Sequence, residues 1–229
     1  MKNNVAVIAA HPDDEVLGMA GSIAKHVNNG DIVNILFMSD GVTGRDVDYD
    51  RNARLNDINA RKLSAKKVSE ILGISNIEFC DYPNLRMDTV SVLEVTQKIE
   101  TRLQNWGSNI VYTHHSSDTN VDHGVCFKST LIACRPVPRC QVRSIRCFEV
   151  LSSTEYSVSN HGPIFDPNLF VNVEEFVKAK IACVRAYDYE MRPAPFPRSE
   201  KIVEAQLTLR GSQVGLNAAE AFMEVRRIE

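Results

Sequence analysis

The sequence predicts an α/β fold: a Rossmann-like, mainly parallel sheet with helices on both faces and a C-terminal extension of mixed strands and helices. Three observations predict it. Short, continuous, β-branched apolar runs alternate with stretches of helical periodicity through the first 135 residues, as in sheets whose strands are buried on both faces. That alternation implies right-handed crossovers between parallel neighbours. At 229 residues and 44% hydrophobic, the chain can bury one sizeable core. The expected organisation is a single domain, residues 1–135 forming the core with the candidate site and residues 136–229 completing its substrate pocket.

In chain order, residues 5–10 read as the first strand. Val16, Leu17, Met19, Ala20, Ile23, Ala24 and Val27 then trace one face of a helix that ends at Asn28-Asn29-Gly30. Residues 32–38 form the second strand, and 39–46 a polar loop with two glycines. A helix over 54–72 stops at Gly73, a short strand covers 77–80, and Val92, Leu93, Val95, Thr96, Ile99 and Leu103 mark another amphipathic helix. The fourth strand is 110–113, followed by a polar run and a helix reaching about Cys134. Beyond it, 146–150 and 169–173 read as strands, and 174–189, 200–214 and 217–225 as helices. The three prolines of residues 191–199 exclude regular structure there and predict a surface path along the mouth of the site.

Composition narrows the function. A net charge of −3 and a pI near 6.1 give no pull toward nucleic acid or an anionic membrane. The first apolar run is too short for a secretory signal and no later run approaches a membrane span, so a cytoplasmic protein is expected. The six cysteines are dispersed without a C-x-x-C pair, which reads as reduced core thiols.

Ligands of parallel α/β sheets sit beyond the carboxyl ends of the strands. That rule puts His11-Pro12-Asp13-Asp14-Glu15, the 39–46 loop and residues 114–123 on one rim. Pro12 is expected at the first helical position, letting His11 and Asp14 address one point above the sheet. Helix-start chemistry explains the acids, each stabilising by about 0.3–1 kcal/mol. It does not explain the histidine, and three adjacent acids repel one another unless a cation offsets them. In the second cluster, His114, His115 and His123 lie with Asp118 and Asp122 directly after a predicted strand. A histidine from there would complete a His–Asp–His set with an open position for water, a donor mixture that suits zinc first and also admits iron or cobalt. Asp13 would stand beside it, able to take a proton from water. Capping of the next helix would explain Asp122 alone.

Ala10-His11-Pro12-Asp13-Asp14-Glu15, with Asn120 and Asp122-His123 downstream, resembles the PIG-L/LmbE-like family of zinc-dependent N-acetylsugar deacetylases. The resemblance extends over Asp81-Tyr82-Pro83-Asn84-Leu85-Arg86-Met87-Asp88, Phe148-Glu149-Val150-Leu151-Ser152-Ser153-Thr154-Glu155-Tyr156 and Ala219-Glu220-Ala221-Phe222. It implies that His11, Asp14 and His123 ligate zinc, that Asp13 is the general base, and that acetate and a free amino sugar are the products. Several relatives carry a histidine where Asn120 stands, and another where Phe196 stands. Asn120 can donate a hydrogen bond but cannot shuttle a proton, so His114, His115 or Asp13 itself would supply the acid side of catalysis, with Asp122 orienting a ligand or neighbouring group. Arg45 and Arg86 are candidates for gripping substrate. His26, His161, Glu15 and Cys126 read as structural.

The expected partner is a small N-acetyl sugar, of the N-acetylglucosamine type and carried on a nucleotide, lipid or other aglycone; related enzymes are often homo-oligomers. Hydrolysis of another small amide, or a catalytically silent metal-holding subunit, are the alternatives. A nucleotide-dependent oxidoreductase is excluded, because acids and not a glycine-rich turn follow the first strand.

Overall fold

The computed structural model describes residues 2–158 and 162–229, so His161 lies outside the described residues, as does the side chain of Arg45. Strands β1 (Asn4–Ala9), β2 (Ile32–Ser39), β3 (Asn76–Tyr82), β4 (Ile110–Thr113), β5 (Ser144–Phe148), β6 (Leu169–Asn172) and β7 (Ala219–Arg227) form one sheet. Its order is β3-β2-β1-β4-β5-β7-β6. The first five strands are parallel; β7 runs antiparallel to both β5 and β6. The extension thus continues the same sheet and does not stand apart from it.

The helices are α1 (Asp14–Asn28), α2 (Leu55–Leu72), α3 (Val92–Trp106), α4 (Val121–Ala133), α5 (Val177–Ala186) and α6 (Glu200–Ser212). Alternate side chains of β1 feed two separate cores. Val5, Val7 and Ala9 of β1 pack with Val16, Leu17 and Ile23 of α1, Val68 of α2 and Val184 of α5. Ala6, Ile8 and Ala10 face the other way, onto Val95 and Ile99 of α3 and Cys126 and Ala133 of α4. A strand buried on both faces cannot alternate polar with apolar, which is why these runs are continuous. Gly73 closes α2 at φ 70°, the left-handed conformation that glycine adopts without a Cβ penalty.

Two elements differ from the sequence-based expectation. The sequence predicts a helix over 217–225, whereas residues 219–225 belong to β7, which runs on to Arg227. Ala, Glu and Met are good helix formers, but here the slot between β5 and β6 supplies ladder partners on both sides and overrides that preference. Helix α1 is also broken at Met19 (φ −156°, ψ 22°). No helix among the described residues is long and apolar enough to cross a membrane.

Candidate metal-dependent active site

Strand β1 lies between β2 and β4, so the chain departs in opposite directions from its two neighbours. The crevice at such a switch point is where this architecture binds ligands. The loop after β1 brings His11, Asp13 and Asp14 to it; the loop after β4 and the start of α4 bring His114, Asp118, Asp122 and His123.

His11, Asp14 and His123 are all buried, and each offers one donor atom to a common point. His11 Nδ1 lies 3.3 Å from Asp14 Oδ2, His123 Nε2 lies 3.4 Å from His11 Nδ1, and His123 Nε2 lies 3.5 Å from Asp14 Oδ2. The three atoms form a nearly equilateral triangle. A tetrahedral ion with bonds of about 2.0–2.1 Å requires donor separations of about 3.3–3.4 Å, so the set fits a divalent cation.

Carboxylates behind the rings fix them. His11 Nε2 faces Asp122 Oδ2 at 3.0 Å, and Asp122 is held in turn by the backbone N–H groups of Leu85 (2.7 Å) and Met87 (3.0 Å). His123 Nδ1 faces Asp118 Oδ2 at 3.0 Å, which also accepts from Ser153 and Thr154. Each ring thereby leaves its other nitrogen toward the triangle. Burial opposes a charge on either histidine, yet the neighbouring acids prevail. Asp14 and Asp122 raise the pKa of His11, and Asp14 and Asp118 push His123 up to about 10. Against the same burial, the imidazoles of His123, His114 and His11 hold Asp14 well below the usual carboxylate range, and His123 takes Asp118 to about 2. The pocket attracts positive charge, as a cation site must.

Asp13 is arranged differently. It sits at the N-cap of α1 with φ 130°, a conformation that costs an L-residue about 1–3 kcal/mol. Pro12 therefore precedes the cap instead of opening the helix. The Asp13 side chain makes no capping bond; Glu15 Oε2 accepts the Asp13 N–H at 2.9 Å. Burial pushes the Glu15 carboxyl up to about 8, and its other oxygen accepts from Tyr187 at 2.8 Å. Asp13 Oδ2 receives Arg61 Nη2 at 2.7 Å and Arg198 Nη1 at 2.8 Å, whereas Oδ1 is buried with no partner among the described residues.

His114 Nε2 accepts the Ala10 N–H at 2.8 Å, so its lone pair is directed at the backbone. Its ring stacks on His123 at 3.8 Å, and burial followed by the repulsion of His123 lowers its pKa to about 4. His115 turns away toward Ser117 and Phe165. Asn120 is the N-cap of α4, its side-chain oxygen accepting the Asp122 N–H at 3.0 Å, so the cap is Asn120 and not Asp122. Arg86 donates to Val47 O at 3.4 Å, tying two rim loops together.

Sequence reasoning did not single out Asp118, Arg61 or Arg198. Arg61 left a usable signal: it lies on the buried stripe of α2 with Ile58, Ala65, Val68 and Leu72, where a charge requires a buried partner. Arg198 left none, because the irregular segment that carries it has no periodicity.

The family described as PIG-L, GlcNAc-PI de-N-acetylase, matches residues 6–134, which contain the whole triangle. The chain belongs to the PIG-L family. It is 24% identical over 194 residues to the Escherichia coli K12 protein named uncharacterised deacetylase YaiS, covering 81% of this chain and 91% of that protein. Among solved structures, the N,N'-diacetylchitobiose deacetylase of Pyrococcus horikoshii superposes with a TM-score of 0.76 at 20% identity, over 97% of this chain and 83% of that one. GalB, the 4-carboxy-2-hydroxymuconate hydratase of Pseudomonas putida, superposes at 0.74 and 18% identity, over 100% and 98%. A deacetylase and a hydratase share the PIG-L architecture, so the fold alone does not select the reaction; the residues must.

Proposed function

We propose that the protein is a zinc-dependent N-deacetylase, hydrolysing the acetamide of an N-acetylglucosamine-type sugar to acetate and a free amino sugar. One observation carries the reading: a buried His–Asp–His triangle of cation-binding size beside a carboxylate with one pinned and one unpartnered oxygen. His11, Asp14 and His123 would hold the zinc, which when bound supplies a Lewis acid for an amide carbonyl and an acidified water. The mixed imidazole and carboxylate donors favour zinc over harder cations.

The chain's own groups do the rest. Asp122 and Asp118 fix the two imidazoles, and His114 packs against His123 to hold its ring. Asp13 Oδ1 takes the proton of the attacking water as the C–O bond forms, and returns it to the nitrogen as the C–N bond breaks. One carboxylate thus serves as base and then acid. That economy matches the position of Asn120, which caps α4 and has no proton to give. The deacetylase name of the E. coli relative and the N-acetyl sugar in the name of the Pyrococcus structure support this substrate class.

The test is acetate release from a panel of free and conjugated N-acetylhexosamines by zinc-loaded protein. Release is expected from at least one conjugate, and Asp13→Asn should keep its zinc while losing about 10²–10⁴-fold in kcat. A zinc-loaded wild type that releases no acetate from any panel member would refute the deacetylase reading. Undiminished turnover by Asp13→Asn would remove Asp13 from proton transfer.

A further inference from the structure

The proposed reaction needs Asp13 Oδ1 free and Oδ2 immobile. We propose that Arg198, delivered by the proline-rich segment near the C-terminus, is a positioning residue for Asp13. This assignment rests on the deacetylase reading and extends the catalytic apparatus into a part of the chain outside the family match at residues 6–134.

Four observations support it. Asp13 holds a positive φ and its side chain makes no bond to its own helix, so contacts from elsewhere must hold the carboxylate in place. Both guanidinium groups converge on the same oxygen, Oδ2, and leave Oδ1 unpartnered. Arg61 has no freedom to follow a moving carboxylate: Nε donates to Pro12 O and Nη1 to Gly41 O and Glu190, each at 2.8 Å. Gly41 shares in this constraint, since a Cβ at its φ of 73° would come within 2.8 Å of Arg61 Nε. Arg198 is fixed at its other end, where Nε donates to Ser152 Oγ at 2.7 Å; Nη1 is also 3.7 Å from Glu190 Oε2.

The two arginines differ in what else depends on them. The Arg61 side chain is 4% exposed and ties three loops together, so its removal leaves buried groups unpaired and endangers the fold. The Arg198 side chain is 19% exposed and comes from a segment with no regular structure. It is the separable member of the pair. Two donors on one oxygen, approaching from different elements, define the carboxylate plane; a single donor leaves a pivot. A displacement on the order of 1 Å at a reacting group costs about 10²-fold in rate.

The experiment compares Arg198→Gln, Arg198→Lys and Arg198→Ala with wild type, each zinc-loaded, on whichever sugar the wild type deacetylates. Arg198→Gln should lower kcat by about 10²-fold with KM within about 3-fold, at full metal content and an unchanged Tm. Arg198→Ala should regain part of its kcat on addition of millimolar guanidinium ion, and Arg198→Lys should lie between wild type and Arg198→Gln. An unchanged kcat, or a raised KM with kcat retained, overturns the assignment while leaving the deacetylase reading intact. A crystal structure of Arg198→Gln decides the matter without turnover. Rotation of the Asp13 carboxylate off the Arg61 contact upholds it, and an Asp13 that keeps its φ and its Oδ2 position overturns it. A wild type inactive on every sugar refutes the deacetylase reading, and the crystal structure alone then judges Arg198.

Discussion

Helix α1 buries charge at two places, and they are completed in opposite ways. At the break around Met19, Leu17 O accepts from Lys180 Nζ at 2.8 Å, while Gly21 N and Ser22 N donate to the two oxygens of Glu220 at 3.0 and 2.6 Å. Lys180 and Glu220 join each other at 2.7 Å. An ion pair from α5 and β7 takes up the backbone groups that the break frees, and its two charges close on each other, with Ser22 Oγ buried and without a partner among the described residues. At the first turn, Asp14, Asp118 and Asp122 surround two imidazoles, and Asp13 Oδ1 and His114 Nδ1 have no partner among the described residues. Buried polar groups in native proteins are almost always satisfied by the protein or by ordered water. The charge-paired cluster is a structural splice; the one at the first turn holds three donors that could bind a metal ion.

The comparison can be broken from either side. His123→Ala should abolish stoichiometric metal binding and acetate release together, and retained metal at wild-type content would refute the ligand set. Lys180→Met strands the Glu220 charge and should cost about 3–5 kcal/mol. That corresponds to a Tm lower by about 6–20 °C, with metal content intact. Loss of metal in this variant would show that the splice and the centre are not independent.

The metal-free protein offers a pH test. The pKa of His123 is about 10 in the fold against an ordinary 6.5: Asp14 and Asp118 outweigh its burial. A raised pKa stabilises fully below the unfolded value and is lost as the pH climbs through the folded one. The Tm of chelator-treated protein should therefore fall between pH 6.5 and 10. Bound zinc displaces the imidazole proton and should flatten that decline. A chelated protein whose Tm is constant over this range would show that His123 carries no such proton.

The smallest effect belongs to Asn120→Ala. Loss of an N-cap costs about 0.5–2 kcal/mol. A role in proton transfer would cost about 10²–10⁴-fold in kcat. Near-wild-type kcat with slightly lowered Tm is expected; a collapse of kcat at full metal content would return Asn120 to the reaction.

The sequence by itself determined the architecture of the first 135 residues and the two clusters on the rim. Both are written in short-range patterns: apolar runs of strand length, helical periodicity, and polar clusters that begin at His11 after β1 and at His114 after β4. Periodicity is local, and a sheet buried on both faces leaves it undisturbed. Only the tertiary structure decided what lies behind the donors. It separated Asp118 from the other acids of its cluster, made Asn120 a cap, turned the Nε2 of His114 to the backbone and brought Arg61 and Arg198 onto one oxygen of Asp13. It also placed residues of high helix propensity in β7, where two neighbouring strands supply the hydrogen bonds. All of these but the Asn120 cap, two residues from Asp122, draw on segments far apart in the chain, from 35 residues between Asp118 and Ser153 to 185 between Asp13 and Arg198. Hydrogen bonds over such separations follow from packing geometry, which no local pattern records.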